Sequence, residues 1–273
     1  MSTSLLPDEF ADILLKLRRA DGHAEAFNSA AKEFWKSATY DSQPEFDRKG
    51  RGIYRVTRVD SPPPELAIHI SEAAHHLRSS LDHLMWLLAR PTTTKEALNV
   101  QFPLVRSLPA FRGRHQTKTL KGHSGVRHMM PGVPRGVRTL VERLQPYHRR
   151  KWPETALLGQ LQAISNWDKH RTLMTTAGGT MSIQTTLRIV GRATFRYIEQ
   201  RTPILKPGAV LARFEVADFE NGTEVYMKPI TTLVPIFDPA MPPQIRERPV
   251  YTVLHDCAGF IRTGVLPMFV RFF

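Results

Sequence analysis

The feature that most constrains this chain is a 26-residue segment, residues 65–90, bounded by prolines on both sides. Ser61 and the prolines at 62–64 are typical of a helix start, because proline is tolerated in the first helical turn. Pro91 ends the pattern, which predicts a helix over Glu65–Ala89. At about 100° per residue, the apolar side chains of this helix form one stripe that must be buried. The stripe comprises Ile70, Ala73, Leu77, Leu81, Leu84 and Leu88.

Polar residues edge this stripe, and they are densest in HHLRSSLDHL, from His75 to Leu84. On a helical wheel Arg78 and Asp82 lie on one flank, beside His75 and Trp86. The other flank is formed by His69, His76, His83 and Leu87. Burial of an unpaired charge is unfavourable, so the sequence predicts partners for these charges on another element.

A second charged helix is predicted over Glu154–Met174, from Pro153 to a stop at AGGT, residues 177–180. Asp168 and Arg171 continue its apolar face by one turn. The rest of that face is Leu157, Leu158, Leu161, Ile164 and Ser165, whereas Asn166, Lys169 and His170 point away from it. We expect Asp168 to pair with Arg78, or Arg171 with Asp82, in a buried ion-pair network between the two helices.

The whole pattern predicts an α+β fold with a helical core, an antiparallel β meander and a C-terminal helix. We expect one domain over residues 1–273, or two parts, of which 1–179 is mainly helical and 180–273 contains the meander and the terminal helix. A long helix is predicted over Pro7–Ser37, with Asp21-Gly22 as a point where it would break in two. The other expected elements are a hairpin near 39–59, a basic loop with room for one short helix over 92–134, a short helix over Arg135–Gln145, and a last helix over Val250–Leu266.

The meander is predicted from a change in character after Gly179. The segments MSIQTTLRIV, ATFRYI, AVLARFEVA and TEVYMKPITTLVPIF alternate and favour β-branched residues. Turns are expected at Gly191, Pro207-Gly208 and Asn221-Gly222.

Composition indicates a cytoplasmic globular protein. The single cysteine, Cys257, excludes an intrachain disulfide and a zinc site built from cysteines. The first residues lack the basic start and uninterrupted apolar run of a signal peptide, because Asp8, Glu9 and Asp12 interrupt the run. The longest unbroken apolar stretch that we identify, LMWLLA, is far shorter than the roughly 20 residues that span a bilayer. We therefore expect no membrane insertion.

The formal net charge of +13 is concentrated in one segment. Residues 105–151 contain twelve Lys or Arg and one acid, Glu142, which gives this segment a charge of +11. Localised positive charge is typical of a protein that binds RNA or another polyanion, although a solvated basic loop has the same composition. The candidate nucleic-acid-binding residues are Arg112, Arg114, Lys118, Lys121, Arg127, Arg135, Arg138, Arg149, Arg150 and Lys151.

The two charged helices also carry a resemblance. LRSSLDHL followed by NWDKHR resembles a group of uncharacterised bacterial proteins that share these two helices. The first motif also resembles the HEPN superfamily of helical ribonucleases and nucleotide-binding proteins, whose signature is an Arg, a polar residue, three positions and a His. This resemblance implies a catalytic set of Arg78, His83, Asp82 and Ser79, supported by His75, His76, Asn166, Asp168, Lys169, His170 and Arg171.

The resemblance implies metal-independent RNA cleavage without a cofactor, in a cleft formed by a homodimer, and a role in stress or phage defence. Histidine suits proton transfer because its ordinary pKa is about 6.5, so His83 would be the acid or base. Arg78 would bind the phosphate, with Asp82 and Ser79 orienting the pair. Residues five apart on a straight helix lie about 140° apart, so a bend, a long side chain or a second subunit must bring Arg78 and His83 together.

Two alternatives stay open from the residues alone. The protein is a non-catalytic polyanion-binding module whose charged helices form a structural ion-pair network, or it is a helical metal-dependent protein. The metal reading uses one flank of the 65–89 helix, His69, Glu72, His76 and His83, for which no second set of carboxylates is evident on a partner helix.

Overall fold

The computed structural model describes residues 6–37, 40–46, 51–113, 125–151, 155–170, 176–190, 194–200, 204–218 and 224–273. Eight α-helices lie in these ranges, and most of the core is built from them. They are α1 (Ala11–Ser37), α2 (Glu65–Leu88), α3 (Thr94–Leu98), α4 (Leu108–Arg112), α5 (Arg135–Arg143), α6 (Thr155–His170), α7 (Val250–Phe260) and α8 (Leu266–Phe269). The predicted α+β class is confirmed.

The two longest helices, α1 and α2, pack against each other, and α6 and α7 pack against this pair. The apolar stripe of α2 is buried as predicted, with Leu77, Leu81 and Leu84 fully inaccessible. Burial of such side chains contributes about 1.5–3 kcal/mol each, which makes this face the centre of the helical core.

The long helix predicted over Pro7–Ser37 is confirmed as α1, which continues through Asp21-Gly22 without the break considered there. A glycine inside a helix costs only about 1 kcal/mol relative to alanine. Ala20 and Ala24 are buried on either side of it, and the Asp21 carboxylate accepts a hydrogen bond of 2.6 Å from Arg262 near the end of the chain. Tertiary packing therefore outweighs the local preference of Gly22.

The last helix continues beyond its predicted end at Leu266. Between α7 and α8 the chain forms one π-helical turn, Ile261–Val265, and α8 then includes Pro267. Proline has no N–H to donate and its ring clashes with the preceding turn, and a wider π turn accommodates both effects.

This composite helix, Val250–Phe272, is long and apolar enough to cross a membrane by length and composition, with a mean hydropathy of 1.2. One side of this helix is nevertheless buried in the core that α1, α2 and α6 share, including Leu254, Ile261 and Phe269. Such packing is that of a core helix.

The strands form two small antiparallel sheets. They are β1 (Tyr40–Phe46), β2 (Arg51–Val59), β3 (Thr176–Val190), β4 (Thr194–Gln200), β5 (Ile204–Leu205), β6 (Val210–Ala217) and β7 (Glu224–Phe237). One sheet has the order β1-β2-β6-β4 and the other β5-β3-β7. The predicted hairpin near 39–59 is thus confirmed as β1 and β2.

The antiparallel pairing is confirmed, but the strand order differs from that of a meander. The long strands β3 and β7 pair with each other along their whole length, from Thr176 opposite Phe237 to Val190 opposite Glu224. The β4 and β6 strands, which lie between them in sequence, join the N-terminal hairpin instead. An alternating pattern indicates which residues form strands, but it does not indicate which strands pair. In the first sheet, strands from before and after position 179, the predicted boundary between the two parts, pair with each other.

The AGGT sequence is part of strand β3, so its prediction as a helix stop is wrong. Both glycines lie under large side chains. A Cβ atom on Gly178 would lie 3.2 Å from the Trp35 ring, and one on Gly179 would lie 2.9 Å from Ile236. Glycine here permits close packing onto the sheet and does not end a helix. Residues 171–175, where the helix was expected to end, lie outside the described ranges.

The predicted loop over 92–134 contains more structure than expected, with α3, α4 and a 3-10 turn at Arg127–Met129. Side-chain caps start both short helices: Thr93 accepts from the Glu96 amide and Ser107 from the Ala110 amide. The short helix predicted over Arg135–Gln145 is confirmed as α5.

We predict that Gly52→Val destabilises the first sheet although valine favours strands. Gly52 pairs with Phe214, and a Cβ atom would lie 2.3 Å from that ring. Overpacking of this kind costs about 1–3 kcal/mol, which exceeds the gain in strand propensity. Urea unfolding measures the change. Thr57→Val, at an exposed position of the same strand, is the control. Equal stability of Gly52→Val and wild type would contradict the packing.

Candidate functional site

A largely buried segment, residues 101–105, is hydrogen-bonded to both charged helices. Phe102 is fully buried and Leu104 nearly so, yet the segment belongs to no helix or sheet. Buried backbone N–H and C=O groups need hydrogen-bond partners, since each unsatisfied group costs about 1–3 kcal/mol. Side chains from three neighbouring elements provide most of these partners.

The first partners are Arg78 and Asp82 of α2, which together bind the backbone of Phe102. Asp82 Oδ1 accepts a hydrogen bond of 2.9 Å from the Phe102 amide, and the Arg78 guanidinium donates to the Phe102 carbonyl. The two side chains also form an ion pair of 3.0 Å, one helical turn apart. Burial lowers the pKa of Arg78, and the neighbouring Asp82 opposes that effect.

The other partners are two glutamines. Gln145, which is fully buried, donates to the carbonyls of Pro103 and Val141 at 2.8 Å each and accepts from the Val105 amide at 2.9 Å. Gln162 of α6 donates to the carbonyl of Leu104. The segment is thus hydrogen-bonded by side chains of α2, of α6 and of the turn after α5.

Arg78 therefore has a different partner from the one expected. Within the described residues it pairs with Asp82 of its own helix and with the Phe102 carbonyl, not with Asp168. The helical wheel placed Arg78 and Asp82 correctly on one flank, but it contained no information about residue 102. The alternative pair, Arg171 with Asp82, involves a residue outside the described ranges.

The other candidate catalytic residues face α1. Ser79 Oγ accepts a hydrogen bond of 2.8 Å from Lys16 Nζ. Burial is the main effect that lowers the pKa of His83, the charge of Lys16 lowers it further, and Asp12 opposes both. The His83 Nδ1 atom is buried without a partner in the described part of the chain. Arg78 and His83 thus contact different parts of the protein, which agrees with their angular separation on a straight helix.

The supporting residues divide in the same way. His75 is exposed and contacts the ring of His76 edge-on, at 5.7 Å between centroids. Asn166 is exposed and lines a cavity of about 130 Å³ with Arg78 and Ser165. Asp168 is half-buried on the same helix. The remaining candidates, the side chains of Lys169 and His170 and the whole of Arg171, lie outside the described part of the structure.

The flank considered for a metal is brought together only in part. His69 and Glu72 lie close to His23 of α1, with all three donor atoms within 4.8 Å of one another. The His76 ring stacks on that of His23, with centroids 5.5 Å apart. His83 is not part of this cluster. The facing helix α1 contributes a histidine, His23, whereas the sequence analysis looked for carboxylates on a partner helix.

A cleft of about 480 Å³ lies beside the buried segment and contains four arginines. They are Arg106, Arg149, Arg150 and Arg248. All four side chains are exposed, and none of the described residues lining the cleft is acidic. Positive groups that converge on a concave surface focus a positive potential toward a bound anion.

The cleft is also lined by polar residues with buried oxygen atoms. Tyr147 and Gln244 line it, and the Tyr147 hydroxyl and Gln244 Oε1 have no hydrogen-bond partner in the described structure. Burial raises the pKa of Tyr147, as does the charge of Glu142, so its phenol keeps its proton and remains a donor. Gln160, nearly buried on α6, forms another part of the wall.

The structure places only two of the ten predicted nucleic-acid-binding residues, Arg149 and Arg150, in this cleft. Arg112 instead forms an ion pair of 2.8 Å with Glu142, and Arg138 points toward the carbonyl of Val133 at 3.5 Å. Three others are exposed elsewhere, and three lie outside the described ranges. The exposed residues are Arg127, Arg135 and Lys151, and those outside are Arg114, Lys118 and Lys121.

Sequence reasoning did not include Arg106 and Arg248 in the site. Arg106 belongs to the basic segment, but nothing in its neighbours distinguishes it. Arg248 is about a hundred residues from Arg149 and reaches the cleft only through the fold. Nothing in the sequence around Arg248 indicates this contact.

Comparisons with protein-family models, curated proteins and solved structures found no match. The geometry of the cleft and of the α2 motif is therefore the basis for a functional proposal.

We predict that Arg78→Ala lowers the free energy of unfolding by about 3–5 kcal/mol, because it leaves a partly buried carboxylate and the Phe102 carbonyl without their donor. Urea unfolding monitored by circular dichroism measures the loss. Arg127→Ala, at an exposed residue of the basic segment, should change stability by less than about 0.5 kcal/mol. A loss for Arg78→Ala no larger than for Arg127→Ala would show that the α2 motif does not stabilise the fold.

Proposed function

We propose that the protein binds RNA through its phosphate backbone, in the four-arginine cleft, and that the Arg78–Asp82 pair is structural. The observation that carries the proposal is the convergence of Arg106, Arg149, Arg150 and Arg248 on one concave surface that none of the described acidic residues lines. Arginine is suited to phosphate because its planar guanidinium forms two parallel hydrogen bonds with phosphate oxygens.

The composition of the cleft favours backbone contact over base stacking. Tyr147 is its only aromatic lining residue among those described, and it is half-buried. Binding that relies on stacking uses several exposed aromatic rings, whereas phosphate contact uses cations. We therefore expect weak sequence preference and strong salt dependence.

The α2 motif supports this site from a distance. Arg78 and Asp82 fix Phe102, and Gln145 fixes Val105, the residue directly before Arg106. Gln162 binds the segment and also lines the cleft. The polar residues of the motif thus hold the chain that presents one of the four arginines.

The choice of RNA among polyanions rests on the resemblance of the α2 motif to a superfamily of ribonucleases and nucleotide-binding proteins. The cytoplasm is the compartment we propose, because RNA is accessible there and the only cysteine, Cys257, is buried and free. A homodimer, which that superfamily commonly forms, would place two such clefts in one particle.

We predict that Arg149→Gln/Arg150→Gln weakens binding to a short mixed-sequence single-stranded RNA by at least about tenfold, since each charge-assisted hydrogen bond contributes about 1.5–3 kcal/mol. Each phosphate contact contributes about 0.7 to the slope of log affinity against log salt, so the slope should fall by about 1.4. Fluorescence anisotropy of the labelled RNA at several salt concentrations measures both quantities.

The matched control is Lys32→Gln/Lys36→Gln, which removes two exposed charges of α1 that do not line the cleft. This variant should keep nearly the wild-type slope. An equal loss in both variants would indicate non-specific attraction to net charge and contradict the site. Competition by single-stranded DNA at equal affinity would contradict RNA as the preferred ligand.

A second candidate function, metal-independent endoribonuclease, is favoured by one observation at His83. Burial lowers the pKa of this histidine, so its imidazole is unprotonated at neutral pH and able to accept a proton. Arg78 is bound to the Phe102 backbone in the described chain. The cation for the phosphate would therefore come from another residue or from a second subunit.

This candidate predicts cleavage of mixed RNA in EDTA by the wild type, with 2′,3′-cyclic phosphate ends, and its loss in His83→Asn. The reason is that attack by the 2′-hydroxyl requires a base and yields a cyclic product. His83→Asn is preferable to Arg78→Ala, whose stability loss would obscure the result. Intact RNA after incubation with the wild type, together with RNA binding, would exclude the ribonuclease and leave the binding function.

A further inference from the structure

We propose a zinc-class metal site between α1 and α2, with His23, His69 and Glu72 as ligands. Nothing in the RNA-binding proposal requires this site, and it lies on the α1 side of α2, whereas the arginine cleft involves α6. Two of its ligands come from the flank of α2 that carries the histidine row, and the third comes from the facing helix.

The geometry brings three donor groups of the right type together. His23 Nδ1 lies 2.9 Å from Glu72 Oε2, and the donor atoms of all three residues lie within 4.8 Å of one another. His69 and Glu72 are three residues apart on α2, so they lie on one face of the helix. Two histidines and one glutamate form a ligand set that binds zinc in proteins and leaves a fourth position open.

The buried state of His69 points to a missing ligand. Its Nδ1 atom is buried and has no hydrogen-bond partner in the described structure. A buried ring nitrogen without a partner is unfavourable. A metal ion would satisfy this atom if it bound there, and it would fix the orientation of the ring if it bound the other ring nitrogen. The His23–Glu72 contact alone leaves this atom unexplained.

The surroundings position the ligands while leaving room for adjustment. The His76 ring stacks on His23 with an angle of 12° between the planes, which restricts the orientation of that ligand.

Only small movements would complete the coordination. Zinc bonds of about 2.0–2.2 Å place ligand atoms roughly 3.3 Å apart in a tetrahedron. The side chains of His23 and Glu72 are 27% and 48% exposed, so both are able to rotate toward an ion. The helices that carry them form the most extensive helix pair of the described fold, which supplies a rigid frame.

The test is isothermal titration of Zn²⁺ into the full-length protein after EDTA treatment and dialysis. We expect one saturable site per chain, and at least a tenfold loss of affinity in His23→Gln, in His69→Gln and in Glu72→Gln. His75→Gln, which removes an exposed neighbouring histidine outside the cluster, is the matched control and should bind zinc like the wild type. Substitution of Co²⁺ should give the visible absorption of a tetrahedral site, lost in the same variants.

Glu72→Gln keeps the test informative if a histidine variant unfolds. Glu72 is half-exposed, so this substitution removes a ligand with little effect on packing. Circular dichroism verifies that each variant is folded. The absence of saturable zinc uptake by the wild type would overturn the proposal. Uptake unchanged in Glu72→Gln, or lost equally in His75→Gln, would also overturn it, since scattered surface histidines would then be the binding groups.

Discussion

The backbone of residues 101–105 is the constraint on which the surrounding structure depends. This chain segment is largely buried but belongs to no helix or sheet of the described structure, so its polar groups have no ladder to join. Arg78, Asp82, Gln145 and Gln162 provide hydrogen bonds that a sheet would otherwise provide. The cost of burying a charged pair is offset because both charges also bind the main chain, and removal of either would leave buried groups unsatisfied.

This arrangement explains why one helix carries polar residues on both edges of an apolar stripe. One edge of α2 binds the buried segment and thereby presents Arg106 to the arginine cleft. The other edge faces α1, where Lys16 binds Ser79 and where His23 meets His69 and Glu72. A motif that resembles one catalytic constellation in sequence is divided in space between two surfaces. Proximity in sequence within a helix does not imply a shared direction of the side chains.

The sequence predicted elements well and partners poorly, for physical reasons. Periodicity and prolines located α2 and the hairpin, because these signals are local. Gly22 and Pro267 misled the helix boundaries, since long-range packing and a π turn overcame their local preferences. The AGGT stretch was wrongly interpreted because a glycine in a strand depends on what packs over it, here Trp35. Arg248 and His23 were missed in their sites because contacts between distant residues leave no trace in local patterns.

Hydrogen exchange at the amide of Phe102 tests the central claim most directly. If Asp82 holds this amide in the buried segment, the wild-type amide should exchange nearly as slowly as the amides of α2, because opening would require loss of core packing. In Asp82→Ala it should exchange much faster, while the amides in the middle of α2 stay protected. Rapid exchange of the Phe102 amide in the wild type, or slow exchange that Asp82→Ala leaves unchanged, would contradict the account.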